Sequence, residues 1–300
     1  MNRYDQLIVD LRGDYRPQRE WGVGRGVLMV VGHFLVGVAG GTWVMASIYG
    51  VTAGLAVAYV LAALGALAHL AYLGRPERAL GMMRRFRTSW IARGFIGLTL
   101  FLIGGGIYLA ALLLAPDDVA GPVTRTGQVI AAVGTVVIIG YMGFCYTASK
   151  AIPFWHSPLH PALYIAFAFR GGVAALLVIS AVTGVASRAG LLEMWIGVTT
   201  VVALFFALEI QGAWSGGNVA ARWSVRDILA GRLALLFYGG TLALGLIVPL
   251  ALLLVPGAHS PAAMALVGLT SAAGDFFMKL ATVRAGVYLP LVMPARRQRA

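Results

Sequence analysis

Along this chain, apolar runs alternate with short polar segments, many of them carrying arginine. An uninterrupted apolar run of about 18 residues or more is long enough to cross a bilayer as a helix. The rhythm predicts eight such helices: Val27–Ile48, Ala53–Leu73, Ile91–Leu114, Gly127–Ser149, Ala162–Val185, Met194–Trp214, Leu233–Val255 and Ala262–Leu291. The short alternating segments of a transmembrane barrel are absent from the sequence. The expected fold is an all-α integral membrane protein, one membrane domain with a polar N-terminal stretch (1–25), an eight-helix bundle (26–292) and a basic C-terminal stretch (293–300).

Composition agrees with the pattern. Of 300 residues, 60% are hydrophobic and only 11% charged, against about 25% charged in a soluble domain; the mean hydropathy is +0.85. The net charge of +12 raises nucleic acid as a partner, but there is no soluble basic domain to hold one. The positive charges instead fall between spans. Arg3, Arg12, Arg16, Arg19 and Arg25 precede the first, and Arg75, Arg78, Arg84, Arg85, Arg87 and Arg93 follow the second. Lys150 follows the fourth, Arg222, Arg226 and Arg232 the sixth, and Arg296, Arg297 and Arg299 the last. With eight spans these all lie on one side, and the other side holds only Arg125 and Arg188 with Asp117 and Asp118. The positive-inside rule puts both termini and the arginine-rich loops in the cytoplasm. The expected location is the cytoplasmic membrane of a bacterium or archaeon. The first segment lacks the charged, apolar, small-residue order of a cleavable signal, so the first span is expected to direct its own insertion. The sole cysteine, Cys145, permits no disulfide or thiolate cluster within the chain, so any iron–sulfur chemistry belongs to a partner.

Ionisable groups inside a membrane are costly and mark function. His33 lies in the first span, roughly 10 Å from its cytoplasmic end. His69 and, three residues on, Tyr72 close the second span on a similar face. Tyr141 and Tyr146 lie in the cytoplasmic half of the fourth with Lys150 at its end, Arg170 in the fifth and Glu209 near the end of the sixth. Each alone has a structural reading: an interfacial aromatic, a snorkelling lysine, an Arg170–Glu209 pair. Together His33, His69, Tyr72, Tyr146, Lys150, Arg170 and Glu209 suggest a pocket reached from lipid and facing cytoplasmic partners. A quinone suits it, because its two carbonyls need hydrogen bonds and its two-electron chemistry needs protons. A b-type haem between His33 and His69 is the rival ligand; His156, His160 and His259 are read as loop residues, leaving one haem at most, and none is expected.

Four stretches resemble the NrfD family of membrane-anchor subunits: "EWG" before a span with "VAGG" (Glu20–Gly41), "HLAYLGRPERALGMMRRFRTSWIARGF" (His69–Phe95), "YTASKAIPFWHSPLHP" (Tyr146–Pro161) and "GDFFMKLATVRAG" (Gly274–Gly286). They occur in the family's order over nearly the whole chain. The resemblance implies an eight-span subunit without haem that passes electrons between menaquinone or ubiquinone and a four-cluster ferredoxin-like iron–sulfur subunit. That subunit serves a molybdopterin catalytic subunit. It also implies a quinone site near the iron–sulfur face, assigned here to His33, His69, Tyr72 and Tyr146, with Arg75, Arg78, Trp155 and His156 at the partner interface. In the family a histidine directly precedes "LGxP"; here Tyr72 stands there and His69 one turn earlier, and either can take that part. Many relatives carry their catalytic subunits outside the cytoplasm, whereas the arginine-rich face here predicts cytoplasmic ones. Two other readings stand beside this: a passive anchor without a quinone site, and an ion or solute transporter, which calls for a discontinuous helix or repeat symmetry.

The last motif carries Asp275, Lys279 and Arg284 in an apolar span. Asp275 and Lys279 are four apart and are expected to pair on one helix face, and Arg284 to reach toward headgroups. Asp275, Lys279, Glu209 and Arg170 form the candidate proton path from the quinone pocket; a purely structural pair is the alternative.

Overall fold

The computed structural model describes residues 15–75, 77, 79–114, 117–184 and 188–290. Arg3, Arg12, Arg78, Arg296, Arg297 and Arg299, and the expected last residues of the fifth and eighth spans, Val185 and Leu291, lie outside the described residues. The protein is an all-α, multi-pass membrane protein, and among the described residues eight helices are long and apolar enough to span a bilayer. They are α1 (Val27–Tyr49), α2 (Thr52–Leu73), α3 (Trp90–Leu114), α4 (Asp117–Thr147), α5 (His160–Thr183), α6 (Arg188–Ser215), α7 (Leu236–Leu254) and α8 (Pro261–Arg284).

Several boundaries differ from the sequence reading. Helix α4 starts at Asp117, ten residues before Gly127. Helix α5 starts at His160 with Pro161 in its first turn, where a missing N–H costs nothing. His160 is therefore helical and fully buried, not a loop residue. Helix α7 is wound as a π-helix over Leu236–Ile247 before becoming α-helical. Helix α8 ends at Arg284, and the following Val287–Tyr288 (β2) pairs antiparallel with Arg16–Pro17 (β1). A surface helix, Val219–Ala230, follows α6; the Asn218 side chain caps it by accepting from the Ala221 N–H.

Helices in lipid gain little from the hydrophobic effect and pack through small residues. Gly41 on α1 and Gly172 on α5 do this at the centre: a Cβ at Gly41 would overlap the Ala168 carbonyl, and one at Gly172 would overlap the Gly41 backbone. This contact joins the half containing α1–α4 to that containing α5–α8.

The end of the bundle bearing the arginine-rich loops is tied together by backbone-directed hydrogen bonds. Gln18 donates from its side chain to Val283 and from its N–H to Gly286. Arg25 donates to the Ala71 carbonyl through Nε and Nη2 (3.0 and 2.5 Å), satisfying the end of α2. Arg284 does not reach outward: its Nε donates to the Gly22 carbonyl at 2.6 Å. The N-terminal segment is thereby laid across the ends of α2 and α8.

Candidate functional site

A cavity of about 430 Å³ is enclosed by α1–α4 and roofed by Trp21 from the N-terminal segment. Its wall is mostly apolar, from residues such as Met29, Leu98 and Met142. Leu73 and Ile91, which also border it, are exposed on the outer surface, so the cavity meets the lipid-facing side between α2 and α3. Its polar side chains include His33, His69, Tyr72 and Tyr141.

The two imidazoles are neighbours, with ring centroids 5.0 Å apart. His69 Nε2 and the Tyr141 hydroxyl are 3.1 Å apart; His33 Nδ1 and the Tyr146 hydroxyl are 3.3 Å apart. Each histidine on one helix is thus held by a tyrosine from α4. Glycine makes the room. A Cβ at Gly32 on α1 would overlap the His69 ring, and one at Gly94 on α3 would overlap the Tyr141 ring. Of the expected quartet, His33, His69 and Tyr72 line the cavity. Tyr146 does not; it is buried behind His33 and acts on the cavity only through it. Tyr141, left out of the expected quartet, takes the place at the wall.

The other polar residues form two further groups rather than one pocket. Glu209 does not pair with Arg170. Its Oε1 lies 2.7 Å from His160 Nδ1, and its Oε2 accepts from Ser157 Oγ at 2.9 Å. Arg170 donates instead to Asp275 through Nη1, to Gly245 O through Nη2 at 2.5 Å and to Thr199 Oγ1 through Nε at 2.9 Å. Asp275 therefore pairs across to α5, not along α8 with Lys279. Among the described residues, Lys279 has no carboxylate within 4.0 Å. Its Nζ lies over the rings of Phe34, Tyr164 and Phe167 at 5.7, 5.4 and 5.8 Å. Arg170 is ten residues along α5, about 15 Å from its start, hence near mid-bundle rather than in the same layer as His69. It shares with Asp275 a separate crevice of about 290 Å³.

The expected interface residues also divide. Arg75 is exposed beside the cavity end of α2, and His156 is exposed with its Nδ1 held by the Thr147 carbonyl. Trp155 is buried, stacked on Trp21 with centroids 5.4 Å apart and donating to the Thr282 carbonyl; its role is to anchor the N-terminal segment, not to face a partner. Lys150 is exposed and lines none of this. Arg78 lies outside the described residues. Sequence reasoning missed the burial of His160, for which the following proline was the available signal, and the place of Trp21 over the cavity, for which the "EWG" stretch was the signal at hand. Among the described residues no cluster of three His, Cys, Asp or Glu is placed to hold a metal.

Compared with curated proteins, the chain matches none. The family described as "Polysulphide reductase, NrfD" matches it over residues 20–290, a range that takes in Trp21, every helix and the whole cavity. The chain therefore belongs to the NrfD family, as a membrane-anchor subunit of a redox complex.

Proposed function

We propose that this subunit passes electrons between a membrane quinone (menaquinone or ubiquinone) and an iron–sulfur partner subunit of the four-cluster ferredoxin type. That partner in turn serves a molybdopterin catalytic subunit. The observation carrying this reading is the His33–His69 pair, each ring held by a tyrosine, inside an otherwise apolar cavity at the lipid boundary. A cavity of a few hundred cubic ångströms with few convergent polar groups is the usual form of a small-molecule site, and a quinone arriving from lipid meets it without crossing water. His69 and Tyr141 would hold one quinone oxygen, and His33 the proton relay behind it. When quinol is oxidised its two O–H bonds break, two electrons go to the iron–sulfur partner and two protons go to the protein.

The partner would dock on the end bearing the arginine-rich loops. Arg75, Arg84, Arg85 and Arg87 are exposed there, next to the cavity. The positive-inside rule makes that end cytoplasmic, in a bacterial or archaeal cytoplasmic membrane. Within this reading Arg170 and Asp275 hold the helices of the second half, Lys279 packs α8 against α1 and α5, and Glu209 alone of the four keeps a proton-transfer role.

The test is quinol-coupled turnover of the purified complex carrying His33→Ala or His69→Ala. Turnover is expected to fall by about 10²-fold in each with the complex assembled. Unchanged turnover in both overturns the site and leaves a passive anchor. Purification without redox subunits would point to transport instead.

A further inference from the structure

The crevice of about 290 Å³ beside Arg170 and Asp275 shares no lining residue with the α1–α4 cavity. Helix α6 forms one side with Val202, Ala203 and Phe206, and α7 the other with Phe237, Thr241 and Gly245. Ala203 and Ala207, which also border it, are exposed on the outer surface. The crevice therefore opens toward lipid between α6 and α7.

Helix α7 is shaped around it. Every α7 residue that borders the crevice falls within the π-helical stretch Leu236–Ile247. Such winding is rare, mostly a single turn long, and frequent at functional sites; here it runs for 12 residues. On its other side α7 is pressed onto α8, where a Cβ at Gly245 would overlap the Gly274 backbone. The room is thus left toward α6.

Two polar atoms here have no partner. Asp275 pairs with Arg170 through Oδ1, while its Oδ2 is buried without a hydrogen bond, and so is Thr241 Oγ1. Asp275 is 2% exposed, and both residues line the crevice. Native interiors rarely leave such groups idle, and a carboxylate oxygen calls for a donor. Arg170 balances the charge of Asp275, so a cation would meet the guanidinium and an anion the carboxylate. The occupant that fits is neutral, lipid-soluble and carries a hydroxyl. The rest of the wall suits a ring: Phe206 and Phe237 stand with centroids 5.8 Å apart, and Phe167 borders the same space.

We propose that this crevice is a second ligand site, which takes the headgroup of a lipid-soluble hydroquinone. One hydroxyl donates to Asp275 Oδ2, Thr241 Oγ1 supplies a second hydrogen bond, and the ring packs against Phe206 and Phe237. The chain of the ligand leaves between α6 and α7. The proposal concerns binding alone, with no bond made or broken and no electron transferred. It goes beyond the function proposed above, since neither His33 nor His69 takes part. The Arg170–Asp275 pair still holds the helices, because it uses the other carboxylate oxygen.

The test counts durohydroquinone bound by the purified complex in equilibrium dialysis, with dithionite present to keep it reduced. Two molecules per complex are expected, against one in Ala203→Phe, whose new ring enters the crevice from the lipid side. Thr241→Val keeps the shape without the hydroxyl and should weaken the second site about tenfold, the loss of roughly one hydrogen bond. The dimethyl ether of durohydroquinone has no O–H to give Asp275 and should not compete for this site. His69→Ala should remove only the other molecule. An unchanged count in Ala203→Phe, or unchanged affinity in Thr241→Val, overturns the proposal, water then being what satisfies the two groups. Competition by the ether at equal strength overturns it as well. A molecule lost in Ala203→Phe with none lost in His69→Ala would instead remove the first cavity as a quinone site and leave this one standing.

Discussion

Arg170 on α5 and Asp275 on α8 form an ion pair buried in the middle of the bundle, with the carboxylate 2% and the arginine 4% exposed. The guanidinium also binds Thr199 on α6 and the carbonyls of Gly245 on α7 and Ser271 on α8. One side chain therefore ties together all four helices of the second half. A charge at this depth is costly unless paired and hydrogen-bonded, and the arginine meets both conditions.

Removing one partner leaves the other buried without its ion-pair partner. Arg170→Met is expected to lower stability by about 3–5 kcal/mol, read as a drop in the thermal unfolding midpoint in detergent. Asp275→Asn keeps an acceptor and should lose less. The double variant Arg170→Met/Asp275→Leu should be more stable than Arg170→Met. A double variant less stable than Arg170→Met would contradict a chiefly structural pair.

Tyr141→Phe deletes one hydroxyl, the one 3.1 Å from His69 Nε2. The ring stays, so helix packing stays. Quinone affinity of the complex is expected to fall about tenfold, the loss of roughly one hydrogen bond, with assembly unchanged. Combining it with His69→Ala should add little, since the two act on the same ligand atom. Full additivity would mean that they act separately.

Gly32→Ala tests the seat of His69. The new methyl would overlap the imidazole, which must turn away from Tyr141 or push α2 off α1. Overpacking of this kind costs about 1–3 kcal/mol. The expected result is weaker quinone binding in a complex that still assembles. Unaltered binding would show that His69 need not sit where it does.

Much of the frame is legible in the sequence because a bilayer demands one thing, a long apolar run, and each run is its own signal. Segments that answer to other forces are not. The surface helix Val219–Ala230 is 12 residues long and has a polar face, so it produces no such run. The start of α4, residues 117–126, carries a proline and several polar residues and so does not extend the apolar run that marks the span. Asp275 and Lys279 do share the register of one helix, but register says nothing about Arg170, 105 positions away. The same limit separates His33 from Tyr146, and His160 from Glu209: residue types announce a polar site, and only packing of α1, α4, α5 and α6 decides who meets whom.

That packing depends on the crossing of α1 and α5, which carries His33 on one helix and His160 on the other. Gly41→Ala would drive a methyl into the Ala168 carbonyl, backbone that cannot turn aside as a side chain can. The helices must separate, and the expected loss is about 1–3 kcal/mol, seen as a lower unfolding midpoint. His33 stands on α1, and displacing that helix shifts the cavity wall, so quinol turnover should fall as well, although residue 41 does not line the cavity. Gly197→Ala is the matched control: its Cβ would meet nothing within 4 Å. It should gain up to about 1 kcal/mol from better helix propensity and leave turnover unchanged. If Gly41→Ala behaves like Gly197→Ala in both measurements, α1 and α5 do not need their close approach.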